Sequence, residues 1–404
     1  MKKLGLLALA CIIGALMMSA PTLATPSAAA YQQQQPPPLE PQEAADLYGK
    51  YYAEKDQAKK YEMAKEFLEK YPNVNPYWQA GPKKFIATYE LGKVYTKCQE
   101  ADKTFFGSPN EANLNNFIAA CDAWINKAPK PDVYYTTRIS LGTGYGVLAS
   151  FYKDTARGES FTGKALGLLA PTAPPEGWKP EDWNNFRKEN IGRLTQYQGL
   201  YRLRQTPADN EGAIKYLSDA AAFKEGPAVK DPNTYLLRAE ATTAIYTKLN
   251  AEYNALSDDD KRGDKGKALL NQIYPVVAKM ANDYARVVAL TEGKADYKAI
   301  YDDAKSQTKA FVEFINKTVS PDDLYKAFKA DISAADVNIP REETSAAPPT
   351  INAPPTGKGA KAIATTAGGT AGPSNGTDTK AGAKATTTTT PTTKKPAAPA
   401  RKRN

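Results

Sequence analysis

The chain has 404 residues and a net charge of +9, with 30 Pro, 27 Gly, 3 Cys and no His. Without histidine there is no Ser-His-Asp triad, no Cys-His pair and no His-ligated metal, and three cysteines cannot make a four-cysteine zinc site. The charge is uneven: Lys2 and Lys3 give +2, the residues from Arg341 onward give +7, and 31–340 is neutral, so the basic character belongs to the ends and not the body.

The N-terminus, 1–30, reads as an export signal. Lys2 and Lys3 form the charged region, Leu4–Met18 the apolar region, and Ser19–Ala30 the small residues around a cleavage point after Ala24 or near Ala30. Fifteen apolar residues are short of the roughly 20 a membrane span needs. An uncleaved anchor is the alternative. Ala8-Leu9-Ala10-Cys11 is only faintly like a lipoprotein cleavage site, because apolar sequence continues past Cys11.

Residues 31–42 (YQQQQPPPLEPQ) form a Gln/Pro linker, read as extended. From 43 to 335, helical spacing alternates with short Pro/Gly/Asn/Asp breaks. Leu114, Phe117, Ile118, Cys121, Trp124 and Ile125 lie on one helical face, and Ser108-Pro109-Asn110-Glu111 is read as that helix's start, with Ser108 capping and Pro109 first in the helix. Asp231-Pro232 and Ser320-Pro321-Asp322-Asp323 repeat the logic. Tyr297, Ile300, Tyr301, Ala304, Thr308, Phe311 and Ile315 make another stripe, and Pro275 is expected to kink or split its helix. No segment alternates as a strand would. The body is expected to be all-α, with about ten helices. Residues 336–404, poor in Leu, Ile, Val and Phe, are read as a disordered Ala/Thr/Pro/Lys-rich basic tail, because such a segment cannot offset about 1–2 kcal/mol per residue of ordering entropy.

One phrase recurs within the body. Ala64-Lys-Glu-Phe67-Leu68-Glu-Lys70-Tyr-Pro72 aligns with Cys121-Asp-Ala-Trp124-Ile125-Asn-Lys127-Ala-Pro129. Each is followed by a helix carrying Leu-Gly-x-x-Tyr: Leu91, Gly92 and Tyr95, then Leu141, Gly142 and Tyr145. A weaker echo runs through Ala213, Tyr216, Leu217, Tyr235, Ala239 and Tyr246. The aromatic-aliphatic pair would end one helix, the glycine would let the next approach closely, and the tyrosine would fill the space a turn away. The pattern resembles the tetratricopeptide repeat, of the variety found in bacterial envelope proteins of the outer-membrane assembly and Tol-Pal-associated kind. The offsets of 50 and 57 exceed that family's period of about 34, which implies insertions or long helices. The resemblance implies a solenoid of helical hairpins whose concave face binds another protein or peptide.

Other candidates carry chemistry less securely. Glu159-Ser160, followed by Ala165-Leu166-Gly167-Leu168, is similar to a lytic transglycosylase signature, in which one Glu is general acid and base on a peptidoglycan glycoside. Glu159 stands too near Gly167 for that family, and the Met-Gln that follows is replaced by Leu169-Ala170; the bland reading is an acid in a helix's first turn. Gly142-Thr-Gly144-Tyr-Gly146 lacks the spacing and preceding strand of a phosphate loop and reads as close helix packing through Gly142 and Gly146. Asp258-Asp259-Asp260 lacks a calcium loop's glycine and glutamate and reads as a solvated loop, and Arg262-Gly263-Asp264 as a chance tripeptide in it. Cys98, taken as a turn from its helix end, and Cys121, deep in the next helix, are expected as two buried free thiols. The 24 tyrosines read mostly as core knobs with hydroxyls at the rim.

The sequence therefore points to an exported, non-enzymatic scaffold at the cell envelope, periplasmic or envelope-associated, working through another envelope protein or peptide. Lys394, Lys395, Arg401, Lys402 and Arg403 are expected to touch an anionic cell-wall polymer or membrane surface. No cofactor, metal or small-molecule substrate is expected. The alternatives are a peptidoglycan-cleaving enzyme using Glu159 and a nucleic-acid binder using the tail, which has no aromatics for base stacking.

Overall fold

The computed structural model describes residues 41–149 and 152–342. The expected signal segment, most of the linker, the tail from 343 and its five named cations lie outside the described residues. Within them every element is helical: thirteen α-helices and two short 3-10 turns, with no strand. That is more than the expected ten; one of them, Asp258–Arg262, occupies the stretch expected as a solvated loop.

Two compact units divide between Tyr89 and Glu90. The first holds α1 (Gln42–Ala53), α2 (Gln57–Lys70) and the start of α3 (Pro76–Gly107). Ala44, Phe67 and Val74 are its buried centre, with Leu47, Tyr48, Leu68, Tyr71 and Trp78 packed around them.

The second unit continues α3 and adds α4 (Glu111–Ile125), α5 (Val133–Leu148), α6 (Thr155–Leu169), α7 (Pro180–Arg204), α8 (Asn210–Ala222) and α9 (Pro232–Asn254). Then come α10 (Asp258–Arg262), α11 (Asp264–Thr291), α12 (Lys298–Ile315) and α13 (Pro321–Ala330). Short polar residues start most of these helices by accepting from otherwise orphaned N–H groups. Asp132 accepts from Tyr135, Asp154 from Arg157, Asp209 from Gly212, Asp231 from Asn233 and Ser320 from Asp322. Pro232 and Pro321 occupy first helical positions, as expected. At α4 the cap is Asn110, accepting from Asn113, and not Ser108. Pro109 therefore precedes the helix, since Asn110 has the extended backbone of a cap.

From α5 to α9 each helix packs on the next, and glycines set the closest crossings. A Cβ on Gly144 of α5 would lie 2.2 Å from the Tyr197 ring of α7, one on Gly158 of α6 2.6 Å from Tyr201, and one on Gly199 of α7 2.5 Å from Leu217 of α8. Only glycine admits those side chains to that depth.

Pro275 does not split α11, which runs as one helix through it. One missing N–H costs less than separating a stripe that buries Leu270, Ile273, Val277, Met280, Ala281, Tyr284 and Val288 on both sides of the proline. The body also reaches past its expected end at 335. Residues 336–342 lie on α11, with Val337 packed and Ile339 buried, so the last apolar pair before the tail anchors this stretch.

Candidate functional site

The expected repeat residues divide by position. Phe67 is fully buried and Leu68 packs beside it, while Pro72 is exposed in the α2–α3 connection. Leu91 is half-buried. Gly92 is exposed, with nothing within 4 Å of a Cβ placed there, so it makes no close approach. It lies on the outward face of α3, and the expectation fails there. Tyr95 rests against Trp124 and Tyr135, with ring centroids 4.8 and 5.9 Å apart.

The second copy fits better. The Trp124 indole donates to Asp132 Oδ2 at 2.6 Å, and Asp132 Oδ1 accepts from the Tyr135 N–H at 2.7 Å. One carboxylate thus caps α5 and ties it to α4. Pro129 is exposed in the intervening turn, and Leu141 packs between two buried clusters, one holding Leu200 and the other Trp183. A Cβ on Gly142 would stand 3.1 Å from Phe105 and Phe117, and Tyr145 lies edge-on to Phe105. Gly142 packs closely as expected, Gly144 does so as well, and Gly146 is buried.

Cys98 and Cys121 form a disulfide, with Cα atoms 4.5 Å apart, and are not free thiols. The expectation failed on helix length. Cys98 lies nine residues before the end of α3 at Gly107, and Cys121 ten residues after the start of α4 at Glu111. At 1.5 Å per residue these are about 14 and 15 Å from the same turn, so the two are level.

Glu159 sits in the second turn of α6, beyond its Asp154 cap and not in the first turn. Its carboxylate pairs with Arg202 through Oε1 and accepts from Gln205 at 3.0 Å through Oε2. Both oxygens are thus engaged within the fold, and Arg202 also reaches Asp209. Asp258–Arg262 is not a loop but the short helix α10, capped by Ser257, with Gly263 its junction to α11.

Tyrosine hydroxyls end inside the protein as well as at its rim. Tyr235 donates to Val229 O at 2.9 Å and Tyr201 reaches Ser140 O, while the buried Tyr274 and Tyr284 hydroxyls have no hydrogen-bond partner among the described residues. Burial pushes Tyr197, Tyr235, Tyr246 and Tyr325 up to about 12. In the first unit Tyr52 and Tyr77 are largely exposed, and Tyr48 stacks on Trp78 at 5.1 Å.

The densest polar construction was not foreseen. Asp283 of α11 is wholly buried, and Arg238 Nε of α9 stands 3.0 Å from each of its oxygens. Arg286 lies 3.8 Å from Asp283 and 2.7 Å from Asp336, with its guanidinium 4.0 Å above the Phe328 ring. Asn282, one residue from Asp283, holds the main chain of Val337. Asp283 and Arg286 are three residues apart, but the partners that join them to other elements stand 45–55 residues away, so no local spacing reveals those. The available signal was Asn282, Asp283 and Arg286 inside the otherwise apolar run of α11, since buried charges are almost always paired.

Beside this cluster an open groove of about 440 Å³ is lined by Tyr274, Pro275, Ala278, Lys279, Asn282 and Ile315 on the helices and by Asp336–Ile339 and Arg341. Burial, and then the charge of Arg238, push the Lys279 ammonium below its usual range. No helix among the described residues is long and apolar enough to cross a membrane. The chain matches no family model, no curated protein and no solved structure.

Proposed function

We propose that the chain is an exported, non-enzymatic scaffold whose body, a set of tetratricopeptide-like helical hairpins, binds another envelope protein or peptide. Its basic tail contacts an anionic surface. The observation that carries the scaffold reading is the chained packing of α5 to α9, each helix on the next, with glycines of α5, α6 and α7 receiving Tyr197, Tyr201 and Leu217. Such stacking buries a continuous core and leaves helix faces for a partner. The Cys98–Cys121 disulfide supports export, because structural disulfides persist in oxidising compartments. The engagement of Glu159 by Arg202 and Gln205 supports a structural role for that residue.

The test is retention of an envelope protein by the chain ending at Glu342 and by the full chain, at low and high salt. A specific protein held by the shorter chain at high salt is expected. Retention that needs the tail and vanishes with salt would make the chain an electrostatic tether and remove the scaffold reading.

A further inference from the structure

After α13 the chain turns back along α11 in the opposite direction. Ile332, Ala334 and Asp336 meet Arg286, Val337 meets Asn282, and Arg341 meets Tyr274 and Asn271. Asp331–Ala334 is a turn, and from Val337 on Asn282 to Arg341 on Tyr274 four steps then cover eight residues of helix, about 12 Å, which requires nearly extended chain.

What holds this segment is mostly directed at its main chain. Asn282 Oδ1 accepts from the Val337 N–H at 2.7 Å, and Asn282 Nδ2 donates to the Val337 carbonyl at 3.1 Å. Arg286 donates to the Ala334 carbonyl at 2.7 Å and Asn316 to the Pro340 carbonyl at 3.0 Å. The Glu342 N–H donates to the Ile315 carbonyl at 2.9 Å. Main-chain bonds of this kind are indifferent to sequence. Side-chain selection falls to Asp336 on Arg286, to packed Val337 and buried Ile339, and to Arg341 on Tyr274 and Asn271. That division of labour is how a surface grips an extended peptide: the backbone supplies affinity and alternate side chains supply specificity.

The segment also fits imperfectly. The groove of about 440 Å³ remains open between it and α11, and Lys279, which burial holds below its usual range, has no carboxylate at hydrogen-bond distance among the described residues. A ligand bringing bulkier apolar side chains and a second acid would fill the space and meet the ammonium.

We propose that this face of α11 and α12 is a peptide-binding groove. Its present occupant, Asp331–Glu342, is a displaceable ligand in cis. In trans the groove takes an extended segment of a partner protein with an acidic residue followed by apolar residues one and three positions on, the pattern of Asp336, Val337 and Ile339. This rests on the scaffold reading but fails separately: a partner still retained by the Asn282→Leu chain would leave the scaffold standing and remove the groove.

The test uses the full chain and a labelled peptide of sequence Asp331–Glu342. Weak binding to the unaltered chain is expected, with at least tenfold tighter binding to a chain carrying Asp336→Ser and Ile339→Ser, and loss of that gain when Asn282→Leu is added. No gain in the Ser variant, or a gain indifferent to Asn282, overturns the proposal. Concentration-dependent dimerisation of the unaltered chain, abolished by Asn282→Leu, would name a second copy as occupant and overturn the partner assignment. Hydrogen exchange on the unaltered chain needs no variant. The Val337 amide is expected to exchange at least 100-fold faster than those of Ala281 and Ala285, by local opening; equal protection would make the segment permanent core.

Discussion

The helices from α5 to α8 and the bundle from α9 to α13 solve the same problem by different means. In the first, contact is a matter of shape: Tyr197 sinks over Gly144, Tyr201 over Gly158 and Leu217 over Gly199. In the second, contact is also wired, with Arg238, Asp283, Arg286 and Asp336 joining α9, α11 and the chain after α13. A shape-fitted contact tolerates no added atom, and a wired one tolerates no missing partner. The two regions should therefore fail under opposite kinds of substitution.

Alkali should produce the largest effect and strike both. Tyr197 in the first region and Tyr235, Tyr246 and Tyr325 in the second have folded values of about 12. These lie above the unfolded value of about 10. Their contribution is whole below pH 10 and is lost as pH rises from 10 through 12. Tyrosinate absorbance and helical circular dichroism, followed together, should change in one shared step over that window. Tyrosinate appearing first, with helicity intact, would contradict the burial.

Removing one member of the buried pair comes next. Asp283→Ala strands Arg238 and should cost about 3–5 kcal/mol. Replacing both, Arg238→Met with Asp283→Leu, should recover most of it. Denaturant titration of the single and double variants decides, and equal losses would mean that the wiring is not what joins the helices. Reducing the Cys98–Cys121 disulfide, which closes a loop of 23 residues' separation, should cost about 3 kcal/mol in the same assay.

Two glycine substitutions should move in opposite directions. Gly144→Ala forces the Tyr197 ring aside and should destabilise by about 1–3 kcal/mol. Gly92→Ala meets open space in mid-helix and should stabilise by about 1 kcal/mol. Thermal melts of the pair test whether the recurring Leu-Gly-x-x-Tyr phrase does one job or two. Asn282→Ala should have the smallest global effect, about 1 kcal/mol, since it frees a segment that opens on its own.

The all-helical body and the starts at Asp231-Pro232 and Ser320-Pro321 were legible in the sequence, because such starts and the stripe from Ile300 to Ile315 are local signals; at α4 the same signal misplaced the cap by two residues. The second repeat phrase was legible for the same reason, through Trp124, Gly142 and Tyr145. What could not be read was set by distance or by count. Placing the end of α3 a turn and a half early turned a disulfide into two thiols. The Arg238–Asp283–Arg286–Asp336 cluster depends on α9, α11 and the chain after α13 meeting, and nothing near Arg238 announces Asp283. The outward direction of Gly92 was hidden because α3 outruns the repeat it resembles, so the phrase meets different neighbours in its two copies.

The disulfide has a consequence in stoichiometry. Cys98 and Cys121 consume each other, and the chain's third cysteine is Cys11, inside the apolar N-terminal stretch. Unfolded without reductant, a molecule that keeps Cys11 should react with one equivalent of a thiol reagent, and a molecule from which it has been removed should react with none. Counting thiols on the protein taken from cells thus reads the fate of its first thirty residues, without sequencing its end.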